Sequence, residues 1–399
     1  MTRILRVITR PNVGGPMRQA VALWHAHAAL GARTLLVTGR CRADEAALPL
    51  AELGIPLLSL ADALQRGREA SGICVVPTLG RRLAPLADLA ALRTLRRLLT
   101  AFHPDVLHSH TSKAGWLARL AARGARETIV AHTFHGLVLA DYVGPWRSRA
   151  LCALERRFAA RSDLLIAVSA SCRDELEALR VAHDVRVVPP AVALEDFARA
   201  ERSAARHDLG LDEGTLVLGF LGRMVDIKRP ELFAALLAEL PDAVGIAAGD
   251  GPRAAVLRAA ATRLDGRLRV LPTSAAPAAL VAALDLLVLP SRREGFPIVG
   301  VEATAAGVPT LGFDVPGLRD LAEACPATRL VAEGEGVRGL AESVREFVRA
   351  GRPRVGPGAA ALAAACAPRA VAARLLEEYA AARARRATRG LPDRARGAP

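Results

Sequence analysis

Residues 286–309 read LLVLPSRREGFPIVGVEATAAGVP and carry, in turn, the signals of a strand, a loop and a helix. The apolar run 286–289 has the length and composition of a short buried strand. Pro297 is well placed to start a helix, because its missing N–H costs nothing at the first helical position. Gly307 and Pro309 end that helix. A buried strand followed by a loop and a helix is the repeating unit of an α/β domain with a parallel sheet.

The same unit repeats in both directions along the chain. Apolar, β-branched runs alternate with longer helical patterns, which favours parallel sheets. The strands predicted in the first half are Ile4–Ile8, Thr34–Val37, Val106–Leu107, Thr128–Ala131, Leu164–Val168 and Val185–Val188. The strands predicted in the second half are Leu216–Leu221, Ala243–Ala248, Leu268–Leu271, Leu286–Leu289 and Pro309–Gly312. The predicted fold class is therefore α/β, with two Rossmann-like domains.

The pattern divides the chain into five segments. They are a first domain, a linker, a second domain, a last helix and a basic tail, at residues 1–188, 189–201, 202–360, 361–382 and 383–399. The tail is rich in arginine and shows no apolar periodicity, so it is predicted to be disordered. Two stripes at helical spacing are predicted to face the core: Leu86, Leu89, Leu92, Leu95 and Leu98, and then Trp146, Ala150, Leu154 and Phe158.

Length and composition narrow the class of protein. A chain of 399 residues exceeds one usual hydrophobic core, which also favours two domains. The formal net charge of +14 favours anionic partners, but aromatic residues make up only 4% and the aromatic interleaving of single-strand nucleic-acid binders is missing. The six cysteines show no zinc-site or disulfide spacing, and no run is apolar enough for a signal peptide or a membrane span. We therefore expect a cytoplasmic protein.

Two cations lie in one loop of the second half. Residues 222–228 read GRMVDIK and directly follow a predicted strand. Open α/β sheets bind ligands at the carboxyl ends of their strands. Arg223 and Lys228 are therefore candidates for a clamp on a diphosphate, where they would stabilise the charge that develops on a phosphate leaving group.

Two carboxylates flank the start of the helix that Pro297 begins. Glu294 lies in the loop before it and Glu302 in its second turn, so one faces the pocket and the other lies along its wall. The free N–H groups of Ile298 and Val299 would point at the same space and favour a phosphate. Carboxylates accept hydrogen bonds from sugar hydroxyls, so this set fits a sugar attached to a nucleoside diphosphate. A glycosidase with paired carboxylates is the rival, but it needs neither the cations nor the helix terminus.

Two glycine-rich turns follow predicted strands. Residues 12–16 read NVGGP and residues 249–252 read GDGP. Glycine lets the backbone approach a ligand closely, and the helix after Gly14 and Gly15 offers free N–H donors to an anion. Tight turn geometry alone explains 249–252 equally well, and it is the simpler explanation of 12–16.

Taken together, these elements resemble the family-4 retaining glycosyltransferases, which have the GT-B fold. The most specific match is EGFPIVGVE at 294–302, preceded at the right distance by GRMVDIK. Three stretches of the first half resemble the branch that assembles exopolysaccharide, capsule and lipid-linked glycans: HSHTSKAGW at 108–116, HTFHG at 132–136 and IAVSA at 166–170. The chain departs from the family at 189–193, where PPAVA replaces a Pro-Asn-Gly sequence followed by Asp.

The resemblance implies a role for each candidate residue. Arg223 and Lys228 would hold the donor diphosphate, Glu294 the donor sugar hydroxyls and Glu302 the ribose hydroxyls. His135 would reach the donor sugar from the first domain. The remaining donor-binding candidates are Gly14, Gly15, Gly251, Phe296, Ile298 and Val299. In a GT-B fold the first domain would bind the acceptor, the second would bind the nucleotide-sugar across a central cleft, and the last helix would cross back to the first domain.

The expected function is retaining transfer of a sugar, preferably from a UDP-linked donor, to a glycan, lipid-linked or small-molecule acceptor. The family is thought to react at the front face of the donor, so no protein nucleophile is required. The chain contains no Asp-x-Asp, so we expect neither a metal nor another cofactor. The alternatives are a nucleotide-sugar 2-epimerase on a similar fold and a non-catalytic basic binding protein.

The arginines expected to bind an anionic membrane surface at its inner face are Arg81, Arg82, Arg147, Arg149, Arg156, Arg157 and Arg161.

Overall fold

The structure is a computed structural model that describes residues 1–42, 45–136, 145–273, 277–356 and 359–389. The strands of the first half are β1 Arg3–Ile8, β2 Arg33–Thr38, β3 Leu57–Leu58, β4 Gly72–Val75, β5 Val106–His110, β6 Ile129–Phe134, β7 Leu164–Ala167 and β8 Val185–Val187. The strands of the second half are β9 Leu216–Leu221, β10 Ala243–Ala248, β11 Leu268–Leu271, β12 Leu286–Leu289, β13 Thr310–Phe313 and β14 Arg329–Val331.

Helices connect almost all of these strands. In the first half they are α1 Gly15–Ala29, α2 Leu60–Arg66, α3 Pro85–Phe102, α4 Ser112–Ala121, α5 Pro145–Ala159 and α6 Ala170–Ala178. In the linker and the second half they are α7 Glu195–Arg199, α8 Arg202–Asp208, α9 Pro230–Ala238, α10 Ala254–Arg263, α11 Pro277–Ala282, α12 Ile298–Ala305, α13 Pro316–Ala324, α14 Gly336–Arg349, α15 Ala360–Cys366 and α16 Pro368–Arg389.

The strands form two parallel sheets. The first has the order β3-β4-β2-β1-β5-β6-β7-β8 and the second the order β11-β10-β9-β12-β13-β14. The prediction of two parallel α/β units is confirmed, and every predicted strand is present. The sequence reading missed β3, β4 and β14, which are only two to four residues long.

The last helix packs on the first sheet. Side chains of α16, among them Val371, Leu375 and Tyr379, share one apolar cluster with α1 and with strands of the first sheet. The prediction that residues 383–399 are disordered is wrong for 383–389, which continue α16. Arg386 donates to Asp163 at 3.0 Å, so an arginine-rich segment without apolar periodicity is held by charge. Residues 390–399 lie outside the described part of the chain.

Two other predictions need correction. Leu86 is 86% exposed, so the predicted core stripe of α3 is wrong at its N-terminal end. The predicted stripe of α5 is wrong along most of its length, because Trp146, Ala150 and Leu154 are all exposed. The buried face of α5 instead includes Glu155, whose carboxylate pairs with Arg119 of α4 at 2.5 Å. The predicted linker 189–201 contains α7, whose Phe197 is buried in the core of the second half. Within the described residues, no helix combines the length and the apolar content that crossing a membrane requires.

Candidate active site

Glycines bring the two halves into contact where the strands of both sheets end. A Cβ atom on Gly15 would lie 2.9 Å from Cδ1 of Ile298, the first residue of α12. A Cβ atom on Gly295 would lie 2.1 Å from the carbonyl oxygen of His135, so the approach requires glycine. The hydroxyl of Ser169 donates to the carbonyl of Gly295 at 2.8 Å. Loops that follow β1, β6 and β7 therefore meet the loop after β12 in one cleft.

Lys228 and Glu294 form an ion pair in this cleft. Lys228 ends the turn after β9 and Glu294 follows the adjacent strand β12. The ammonium nitrogen lies 2.5 and 2.6 Å from the two carboxylate oxygens, and the Ser291 hydroxyl donates to one of them at 2.7 Å. The carboxylate is 7% exposed and the lysine 22%, so the pair is partly shielded from solvent. The structure thus brings together a cation and a carboxylate that the sequence placed in separate loops.

Arg223 adds positive charge from the other side of the same loop. Its side chain is exposed, directly after the end of β9. Burial is the main cause that lowers the pKa of Arg10, at the end of β1; Glu45 opposes this, while the charges of Arg81 and Arg223 add to it. Arginines of both halves therefore raise the positive potential where the carboxyl ends of β1 and β9 face each other.

Glu302 lies in the second turn of α12, as predicted, and its carboxylate is almost fully buried. Its partner is Arg18 of α1, which reaches across the cleft. Burial raises the pKa of Glu302, and the charge and hydrogen bond of Arg18 oppose this rise. The carboxylate that is expected to bind a ligand is therefore paired with a cation of the first half.

The backbone N–H groups at the start of α12 are not capped by a side chain and are available to a ligand. Pro297 is its N-cap residue, and no side chain caps the helix. The N–H groups of Ile298 and Val299 belong to the first turn, where an anion is favoured. Phe296 is half-buried and packs against the core of the second half, which anchors the loop rather than exposing a ring. Phosphate binding at this terminus remains a prediction.

The backbone requires glycine at Gly251 but not at Gly14, which is extended at φ −141°. Gly14 is the N-cap residue of α1, and a Cβ atom there would lie 3.2 Å from the Asn12 amide nitrogen. Gly251 has φ +147°, and its Cβ atom would lie 2.4 Å from the carbonyl oxygen of Met224. The backbone around Gly251 thus supports the loop that carries Arg223, and donor contact by Gly251 remains a prediction.

His135 follows β6 and is half-buried at the contact with Gly295. Its Nε2 atom lies 2.9 Å from Nδ1 of His110, a buried residue of β5. Burial, and then the charge of Arg6, lowers the pKa of His135 to about 3. The imidazole is therefore neutral at physiological pH and does not act as an acid there.

Comparison with known proteins places this cleft in a family. The model described as Glycosyltransferase Family 4 matches residues 13–196, and that described as Glycosyl transferases group 1 matches residues 201–361. A D-inositol 3-phosphate glycosyltransferase of Nocardia farcinica is 33% identical over 321 residues, covering 73% of this chain and 69% of that protein. This chain belongs to glycosyltransferase family 4.

Two further proteins match over shorter stretches of sequence, and one solved structure matches the fold over most of the chain. A D-inositol 3-phosphate glycosyltransferase of Actinosynnema mirum is 34% identical over 54% of this chain, which spans about half, 57%, of that protein's length. The Escherichia coli UDP-Gal:alpha-D-GlcNAc-diphosphoundecaprenol alpha-1,3-galactosyltransferase is 29% identical, over 61% of this chain and 66% of that protein. The Anabaena protein HepE, solved with UDP and glucose, superposes with a TM-score of 0.73 at 18% identity, covering 95% of this chain and 100% of HepE. The predicted GT-B architecture is confirmed.

In this family-4 chain, the sequence did not predict which other residues of the chain contact the site residues. Arg18 is 284 residues from Glu302, and Ser291 looks like an ordinary loop residue. Arg6 reads as an interruption of an apolar strand and is buried next to His110. A charged residue inside β1 was the one signal that pointed to this last contact, because a buried charge requires a partner.

Proposed function

We propose that this chain is a retaining, metal-independent glycosyltransferase that transfers a sugar from a UDP-linked donor to a glycan or lipid-linked acceptor. The observation that carries the proposal is the convergence of Lys228, Glu294 and Glu302 at the carboxyl edge of the second sheet, facing Gly15 and Arg18 of the first half. Cations suit a diphosphate, and buried carboxylates suit sugar and ribose hydroxyls.

The reaction follows from these charges. The acceptor hydroxyl attacks the anomeric carbon on the face from which the diphosphate leaves. The bond between that carbon and the phosphate oxygen breaks, the new glycosidic bond forms, and the hydroxyl proton passes to the departing phosphate. Lys228 and Arg223 stabilise the negative charge that accumulates on the diphosphate, so no protein nucleophile is required. His135, neutral and hydrogen-bonded to His110, orients the sugar rather than removing the proton.

The preference for UDP is supported by two relatives. The Escherichia coli relative is named for a UDP-galactose donor and a diphosphoundecaprenol-linked acceptor, and HepE was solved with UDP. Family membership and the site carboxylates are compatible with other nucleotides as well. Direct binding measurements distinguish them.

Nucleotide binding tests the proposal. We expect UDP or a UDP-sugar to raise the melting temperature and to bind in calorimetry more tightly than GDP or GDP-mannose. Glu302→Ala should weaken binding roughly 10- to 100-fold, because it removes charge-assisted hydrogen bonds to the ribose. Glu342→Ala, which changes an exposed carboxylate of α14, is the control and should bind like the native chain. If no nucleotide binds, or Glu302→Ala binds normally, the assignment of the site is wrong.

Chelation tests metal independence. Since Lys228 and Arg223 can neutralise the diphosphate and the sequence has no Asp-x-Asp, we expect EDTA to leave the rate of nucleoside diphosphate release unchanged within about twofold. The assay is run with donor and acceptor before and after exhaustive dialysis against the chelator. A loss of turnover that Mg²⁺ or Mn²⁺ restores would overturn the metal-independent mechanism.

We also propose that the first half binds an anionic membrane surface at its inner face, where a lipid-linked acceptor would lie. Trp146 at the start of α5 and Leu83 and Leu86 at the start of α3 are exposed, and both helices begin where the strands of the first sheet end. The guanidinium carbon of Arg149 lies 5.2 Å from the centre of a Trp146 ring. Exposed apolar side chains among arginines favour an anionic interface. The side chain of Arg147 lies outside the described residues.

Co-sedimentation with vesicles tests this surface. We expect binding to phosphatidylglycerol-containing vesicles at low salt and none to pure phosphatidylcholine, because the arginines supply the attraction. Trp146→Ser should reduce the bound fraction several-fold by removing the apolar anchor. Val348→Ser changes an exposed apolar residue of α14 in the other half and is the matched control. Equal sedimentation with both vesicle types, or with none, would contradict the proposal.

A further inference from the structure

Arg6 is a fully buried cation without a carboxylate partner among the described residues. It lies in β1 beneath α1 and α16, at 0% exposure. Its Nη1 atom lies 2.8 Å from Nε2 of His110 and 3.5 Å from Nδ1 of His108. Its Nε and Nη2 atoms have no hydrogen-bond partner in the part of the chain that the structure describes. A buried charge of this kind destabilises the folded state, which points to a functional role for Arg6.

The contact with His110 fixes the positions of protons. A guanidinium only donates hydrogen bonds, so Nε2 of His110 must be an unprotonated acceptor. Neutral His110 then carries its proton on Nδ1, which lies 2.9 Å from Nε2 of His135. That nitrogen of His135 is in turn an acceptor, and the proton of neutral His135 is on Nδ1. One donor-only residue thereby sets the tautomers of two histidines in series.

The surroundings keep both histidines neutral. The titratable groups packed around them are Arg6 of β1, His27 of α1, His108 of β5, His132 of β6 and Tyr379 of α16. Burial is the main cause that lowers the pKa of His110 and of His135, and the charge of Arg6 adds to it. None of these neighbours is a carboxylate that would favour an imidazolium.

Tyr379 of α16 closes the cluster from above. Its hydroxyl lies 2.5 Å from Nδ1 of His108, and Nε2 of His108 lies 2.7 Å from the hydroxyl of Thr133. The rings of His108 and His110 stack with centroids 4.4 Å apart. His108 is thereby engaged at both nitrogens and leaves Nε2 of His110 to Arg6.

We propose that Arg6 is a positioning residue that, through His110, holds His135 as the Nδ1-protonated tautomer, so that His135 offers the substrate a hydrogen-bond donor. The role rests on the proposed function, because it matters for catalysis only if a donor sugar meets His135. A fixed N–H selects an acceptor oxygen, such as a hydroxyl or carbonyl oxygen of the donor sugar. It also excludes His135 as the base, since Nε2 is occupied by His110.

Nitrogen NMR of the histidine-labelled full chain tests the tautomer without donor or acceptor, so the result stands apart from transferase activity. Long-range nitrogen–proton spectra are recorded at neutral pH, and the His135 signals are identified by their loss in His135→Gln. We expect Nδ1 of His135 to resonate as a protonated nitrogen and Nε2 as an unprotonated one. The reverse assignment in the native chain would overturn the proposal, whatever the variants do.

Two substitutions at Arg6 separate positioning from packing. Arg6→Lys keeps a donor-only cation and should keep the tautomer, whereas Arg6→Met fills the site without a donor. In Arg6→Met we expect a mixture of His135 tautomers and, with a donor identified, a roughly tenfold lower kcat, the effect of about one hydrogen bond. A folded Arg6→Met with the native tautomer would refute the role of Arg6. If Arg6→Met does not fold, the tautomer of His135 in the native chain, measured as above, decides the proposal.

Discussion

Replacing Lys228 by alanine is expected to lower kcat roughly 100- to 1,000-fold, the size of effect seen when one preorganised group for transition-state charge is removed. The ammonium is held by both oxygens of Glu294, so it is placed before the donor arrives. Charge on the diphosphate grows as the bond between the anomeric carbon and the phosphate oxygen breaks, so the cation acts more on the transition state than on the bound donor. The rate of nucleoside diphosphate release, with the donor and acceptor found by screening, measures the effect.

The same variant leaves the Glu294 carboxylate partly buried without its partner, so its fold must be checked. We expect a modest fall in melting temperature and a donor affinity that changes far less than kcat. Arg229→Ala is the matched control: this neighbouring cation pairs with Glu333 instead of Glu294 and should retain most of the activity. A Lys228→Ala protein that is folded and turns over within about threefold of the native rate would remove Lys228 from the catalytic machinery.

The second large effect concerns stability. Asp285, 3% exposed, precedes β12 and accepts hydrogen bonds from Arg206 at 2.7 Å, Arg202 at 2.8 Å and the Val217 backbone at 2.8 Å. Asp285→Ala leaves the fully buried guanidinium of Arg206 without its counter-charge. Breaking a buried pair from one side costs about 3–5 kcal/mol. We expect the free energy of opening, measured by hydrogen exchange in peptides from β9 and β12, to fall by that amount.

The double variant Asp285→Ala with Arg206→Met should recover part of this loss, because no fully buried cation is then left without its counter-charge. Asp242→Ala, at an exposed aspartate of the same half, should leave exchange in β9 and β12 unchanged. Exchange in Asp285→Ala that matches the native chain would mean that backbone carbonyls satisfy Arg206 without Asp285.

The sequence predicted correctly the features that are determined by residues close together in the chain. The loop and helix of 294–302 place Glu294 and Glu302 correctly, because a strand end and a helix turn are set by neighbours in sequence. Arg18 could not be paired with Glu302 in advance, since only the packing of two sheets brings them together. The same holds for Tyr379, which meets His108 from 271 residues away.

Two of the errors share a physical origin in charge. Periodicity assigns apolar residues to the interior, but α5 buries Glu155 because Arg119 and the Trp116 indole satisfy it. Composition suggested a disordered tail, but α16 continues because acidic groups of the first sheet accept hydrogen bonds from its arginines. Partners of this kind lie outside any window of sequence.

The return of α16 to the first sheet also orders events during synthesis. Val371, Leu375 and Tyr379 complete an apolar cluster that otherwise consists of α1 and strands of the first sheet. A ribosome therefore has to translate the whole second half before the first half can close its own core. Until then, the face of the first sheet beneath α16 is left to solvent or to chaperones. For the same reason, a cut at 189–201 would not release a first half able to fold alone, although the chain passes from one sheet to the other there.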